Sequence, residues 1–118
     1  MSTREFRITV RGAFDGLTSD QKAELLAEAE AHDIFHSEFT AEGHLTYDIA
    51  ARPAFTFRFL ESGEKAEDIT AATRRAEAAA VAWLGQRGYA CKNLHSQATD
   101  MAEAPLSKRQ RHAITKAH

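Results

Sequence analysis

Apolar and polar residues alternate near the start of the chain, where Phe6, Ile8 and Val10 are interleaved with Arg7, Thr9 and Arg11. A period of two predicts a strand with one buried and one polar face. Gly12 and the Asp15-Gly16 pair interrupt it. Thr18 and Gln21 then stand at capping-box spacing, at which each side chain satisfies a free backbone N–H, so a helix is predicted to begin there. It carries Leu25, Leu26 and Ala29 on one face and Lys22, Glu24, Glu28 and Glu30 toward water, and it fades near His32-Asp33. Two strand-like pieces follow, Phe35 to Thr40 and His44 to Ile49, and the Ala41-Glu42-Gly43 between them predicts a hairpin. In the second piece Leu45, Tyr47 and Ile49 share one side, while His44, Thr46 and Asp48 share the other. Pro53 lacks an N–H and belongs in a connection. Phe55, Phe57 and Phe59 then alternate with Thr56 and Arg58, forming the most aromatic strand of the chain. A long helix is predicted from Glu67 to Arg87, with Ile69, Thr73, Ala76, Ala80, Trp83 and Leu84 on one stripe and Gly88 as its stop. Cys91 to Thr99 reads as a weaker last strand whose only large apolar residue is Leu94.

This order predicts an α+β fold of the ferredoxin-like β-α-β-β-α-β kind, an antiparallel sheet of four or five strands with two helices on one face. Residues 1–101 are expected to form a single domain, because domains usually run to roughly 100 to 150 residues. Residues 102–118 are read as a basic C-terminal tail. In the usual strand order of such a fold the first strand lies beside the Phe55 strand. That order gathers Arg7, Arg11 and Arg58 near the centre of the polar sheet face, with His44 and Asp48 at its rim. Neighbouring guanidiniums repel unless something anionic joins them.

Fifteen basic and 17 acidic residues leave a net charge of -2, which gives the whole chain no electrostatic footprint of a nucleic-acid or membrane binder. The distribution is uneven. Residues 1–101 hold 11 basic and 16 acidic side chains, whereas the tail holds four basic residues and Glu103. No apolar stretch approaches the roughly 20 residues of a membrane span, and the N-terminal sequence lacks a secretory pattern, so a soluble, cytoplasmic protein is expected. The single cysteine, Cys91, excludes an internal disulfide and a cysteine-based zinc cage.

Candidate chemistry centres on Arg7, Arg11, Arg58, His44 and Asp48. On one reading the arginines hold a carboxylate or phosphate through bidentate hydrogen bonds; on the other they are solvated, or pair with acidic groups across a homodimer. The Arg11-Gly12-Ala13-Phe14-Asp15-Gly16 stretch is a poor phosphate-cradling loop, because Asp15 places negative charge where N–H groups are wanted. His32 and His36 lie four apart but straddle a predicted helix end, so no metal site is expected. No cofactor motif is present. An RNA-binding sheet would need aromatics on its outer face, whereas Phe55, Phe57 and Phe59 share the core alternation, so nucleic acid is not the expected partner.

With Arg7-Ile8-Thr9-Val10-Arg11-Gly12, Gly43-His44-Leu45-Thr46-Tyr47-Asp48, Phe55-Thr56-Phe57-Arg58-Phe59 and Pro105-Leu106-Ser107-Lys108-Arg109-Gln110-Arg111 in view, the chain resembles a set of small uncharacterised actinobacterial proteins carrying a domain of unknown function. The resemblance covers nearly the whole length and implies no activity. Taken together, these features lead us to expect a homodimeric binding module for a small anionic or aromatic ligand or a protein partner. Two alternatives stay open. One is a cofactor-independent tailoring enzyme of the dimeric α/β-barrel kind, using His44 or His95 with Tyr47; the other is a nucleic-acid-associated protein using the basic tail.

Overall fold

A computed structural model of the protein describes residues 3–102. The expected tail therefore lies outside the described residues, apart from Ala102. Four strands form one antiparallel sheet: β1 (Arg4–Phe14), β2 (His44–Tyr47), β3 (Ala54–Gly63) and β4 (Cys91–Asp100), in the order β2-β3-β1-β4. Helix α1 (Ser19–Ala27) follows β1, and helix α2 (Asp68–Gln86) joins β3 to β4. Alternation sets the sheet's two faces. Phe6, Ile8, Val10, Phe55, Phe57 and Phe59 are buried on one face, where they join Leu45, Tyr47, Leu25 of α1 and Ala72, Ala76, Ala80 and Leu84 of α2 in one core. The alanines let α2 approach the sheet closely, and burial of this apolar surface is the main source of stability.

Local signals fix the ends of the elements. Thr18 accepts from the Gln21 backbone at 3.1 Å while the Gln21 side chain accepts from the Thr18 N–H at 3.0 Å, completing the expected capping box. Helix α2 stops in a Schellman arrangement: Tyr89 N–H reaches the Leu84 carbonyl at 3.0 Å and Gly88 N–H the Gly85 carbonyl at 3.1 Å, with Gly88 at φ +74°. Pro53 lies in the β2–β3 connection, as its missing N–H requires, and its carbonyl accepts from Phe14 N–H at 2.8 Å.

Three expectations need correction. The 35–40 piece is not a strand: Ile34–His36 form a single 3₁₀ turn capped by Asp33, and only Thr40 reaches the sheet, through one parallel bridge to Phe59. Its N–H donates to Arg58 O at 3.4 Å and its carbonyl accepts from Leu60 N–H at 2.7 Å. The four-residue β2 is too short to cover β3, which leaves that part of the β3 edge for Thr40. Helix α1 is also shorter than its pattern suggests. Past Ala27 the chain tightens into i→i+3 turns from Ala29 to Leu26, Ala31 to Glu28 and His32 to Ala29, which bring the His32 carbonyl to Tyr47 N–H at 3.2 Å. Leu26 consequently stays exposed and only Leu25 is buried on α1. Trp83, whose place on the core stripe of α2 predicts burial, is only half-buried, its ring 5.7 Å from Phe57 and covered on the outside by the Arg87 guanidinium at 3.8 Å.

Candidate functional site

The sheet face opposite the core is covered by neither helix. Register places Thr9 between Arg58 and Gln97, and Arg11 between Thr56 and His95, so these residues form two adjacent rows across the outer face. His44 and Thr46 extend the rows onto β2, opposite Arg58 and Thr56. Arg11 and Arg58 are thus diagonal neighbours, close enough that Arg11, after burial itself, lowers Arg58 from its ordinary value. Arg58 Nη1 donates to Thr46 Oγ1 at 2.7 Å, which holds the half-buried guanidinium against the sheet.

Around this pair the surface sinks into a depression of about 440 Å³, lined by Arg11, Arg52 and Arg58 together with Thr56, Asn93, His95 and the apolar Ile34 and Ala54. No carboxylate lines it. None of the ion pairs among the described residues involves Arg11, Arg52 or Arg58. One wall is built by a backbone irregularity. The β1–β4 register shifts between Arg11 and Ala13, and Asn93 on the bulged strand adopts φ +57°, a conformation uncommon for a residue with a side chain. The Asn93 carbonyl lies 3.0 Å from His95 Nδ1, tying the two lining residues together. Gly12, at the same bulge, is required by close approach, since a Cβ there would stand 2.7 Å from the Phe55 ring.

The five residues singled out from sequence are only partly brought together. Arg11 and Arg58 meet at the depression. Arg7 lies four residues along β1, pairs with Glu5 at 3.3 Å and has its guanidinium 5.5 Å from the Phe39 ring centre. Together with Thr9, Arg11, Phe39, Gln97, Thr99 and Met101 it lines a second depression of about 300 Å³. His44 is half-buried at the rim, its Nδ1 accepting from Glu38 N–H at 3.3 Å. Asp48 falls outside the cluster. β2 ends at Tyr47, and Asp48 lines a separate hollow with Leu26, Glu30, Asp33 and Ile49. Sequence pattern does not disclose Arg52 and Phe39, which come from loops rather than from strand alternation, nor that His95 pairs with Arg11. Among the described residues no group of three His, Cys, Asp or Glu side chains is arranged to hold a metal ion. No helix there is long and apolar enough to cross a membrane.

Comparison with known proteins adds one relationship. The model of a family of unknown function, DUF6204, matches residues 1–112. The chain belongs to DUF6204. No curated protein and no solved structure matches it. The DUF6204 match spans all four strands, both helices and every residue lining the arginine depression.

Proposed function

We propose that this DUF6204 protein is a binding module for a small anionic ligand, held on the open sheet face by Arg11, Arg52 and Arg58. One observation carries the reading: three guanidiniums line a single depression that offers them no carboxylate. Arg11 and Arg52 are exposed and Arg58 is half-buried, so all three are open to an anion, and guanidinium is the group best shaped for a bidentate carboxylate or phosphate. Thr56, Asn93 and His95 supply further polar contacts around the same space. Neither His44 nor His95 stands beside a paired acid and nucleophile, so binding is favoured over catalysis. Titration of the ¹⁵N-labelled protein with inorganic pyrophosphate tests this. Saturable shifts at Arg11, Thr56 and His95 are expected, with affinity reduced about tenfold or more in Arg11→Gln and Arg58→Gln, as loss of a charge-assisted contact requires. Absence of saturable shifts at these residues refutes the reading.

The strand order β2-β3-β1-β4, with α1 and α2 as the two crossovers, supports assignment to the ferredoxin-like plan for residues 1–101. A homodimer is also part of the proposal, formed through an edge strand so that the ligand face stays open. The supporting observation is the β4 side of the molecule. β4 is an edge strand of ten residues without proline, and beside it lies a shallow hollow lined by Ala78, Val81, Ala82 and Leu94 together with Arg74 and Glu77. An antiparallel edge is self-complementary about a two-fold axis, and a strip carrying both charge signs can meet its own copy.

A further inference from the structure

The two depressions on the outer face share Arg11 and lie end to end along β1. They differ in chemistry. The Arg52 end gathers guanidiniums, whereas the Arg7 end is a slot with two apolar flanks and a polar floor. Phe39 enters from the β3 side, held by the Thr40 bridge, and Met101 enters from the β4 side, its N–H donating to Glu5 O at 2.9 Å. Between them Thr9, Gln97 and Thr99 present hydroxyl and amide groups from β1 and β4. Phe39 is the aromatic ring of this otherwise polar slot, and its loop position explains why strand alternation did not disclose it.

A slot of this make suits a planar heteroaromatic ring: the Phe39 ring offers a stacking surface, which the Arg7 guanidinium 5.5 Å from its centre covers and would yield to a base, and the Gln97 amide can both donate to and accept from a ring edge. Arg7 and Arg11 are four residues apart on one strand face, a separation of about 13 Å. A ribose joining a base to a diphosphate bridges such a gap. Resting on the anion-binding reading above, we propose that the ligand is a nucleoside diphosphate, its phosphates on Arg11, Arg52 and Arg58 and its base in the slot formed by Phe39, Arg7, Gln97 and Met101.

Calorimetric titration of the full chain with ADP, GDP, UDP and CDP, beside inorganic pyrophosphate, tests the inference. At least one nucleotide is expected to bind about tenfold or more tighter than pyrophosphate, the gain that stacking of one base provides. Phe39→Ala is expected to remove that gain while leaving pyrophosphate affinity unchanged, which also serves as the check that the variant is folded. The ring slot is overturned if pyrophosphate binds as tightly as every nucleotide, or if Phe39→Ala leaves the nucleotide preference intact. Failure of pyrophosphate and nucleotides alike overturns the anion site as well, so the two readings fail separately.

Discussion

Tyr47 concentrates several demands on one side chain. Its ring packs edge-on against Phe14 with centres 6.3 Å apart and lies 5.2 Å from His32, while its hydroxyl donates to the Leu25 carbonyl of α1. Burial first, then the charges of Glu28 and Tyr89, push its ionisation up to about 12 from an ordinary 10.0. The folded state therefore holds this proton more tightly than the unfolded chain does. Stability from this source is complete below pH 10 and is lost as pH rises from there through about 12. Tyr89 acts in the same direction, raised by burial and by its hydrogen bond to Glu24. Tyr47→Phe is expected to cost about 1 kcal/mol at neutral pH, the worth of one buried hydrogen bond, and to flatten the alkaline fall in stability. Urea melts of both proteins at pH 7 and pH 11 check this. Parallel losses between the two pH values would show that Tyr47 does not carry the effect.

The strand β3 and helix α2 meet in the core at Phe57 and Trp83. Phe57 lies 5.6 Å from Phe55, 6.1 Å from Phe59 and 5.7 Å from Trp83, and it is fully buried. Phe57→Ala should cost about 3 to 5 kcal/mol, read as a lowered urea midpoint; an unchanged midpoint would mean that the ring is not in the core. This element was readable from sequence because one face is dry and the other wet, so every second residue reports its side. The same holds for β1. The 35–40 piece misled for the opposite reason: its aromatic residues match a strand, yet a strand also needs backbone pairing along its length, and only Thr40 meets the β3 edge beyond the four residues that β2 pairs with. Phe35 accordingly stands exposed on a turn. The end of α1 was misjudged because Leu26 fits a helical stripe, whereas the demand of Tyr47 N–H for the His32 carbonyl, which tightens the chain there, is a tertiary fact.

Across the whole molecule, the helices occupy one sheet face, the proposed ligand site lies on the other, and the β4 edge is the surface proposed for association. Sedimentation is expected to give a dimer, and Val81→Glu, which places a charge in the hollow beside β4, should return it to a monomer without loss of pyrophosphate binding. A monomer at high concentration in low salt would remove the edge-pairing proposal and leave the ligand site standing. The site was half legible at this scale. Alternation identified Arg11 and Arg58, and strand adjacency made them neighbours. Arg52 and Phe39 were not legible, since loops carry no period from which to read where a side chain ends up.

β1 sits between β3 and β4, so its two partners lie at residues 54–63 and 91–100, far along the chain from residues 4–14. Sheets closed by such distant pairings form slowly, because loop closure must precede the contacts that reward it. Until then Phe6, Ile8 and Val10 form an unpaired apolar strand, the kind of segment from which chains aggregate. Arg7 and Arg11 interrupt that segment with charge, acting as gatekeepers of the nascent chain before they serve any ligand. The charges that line the proposed site thus also have work to do earlier, while the chain is still folding.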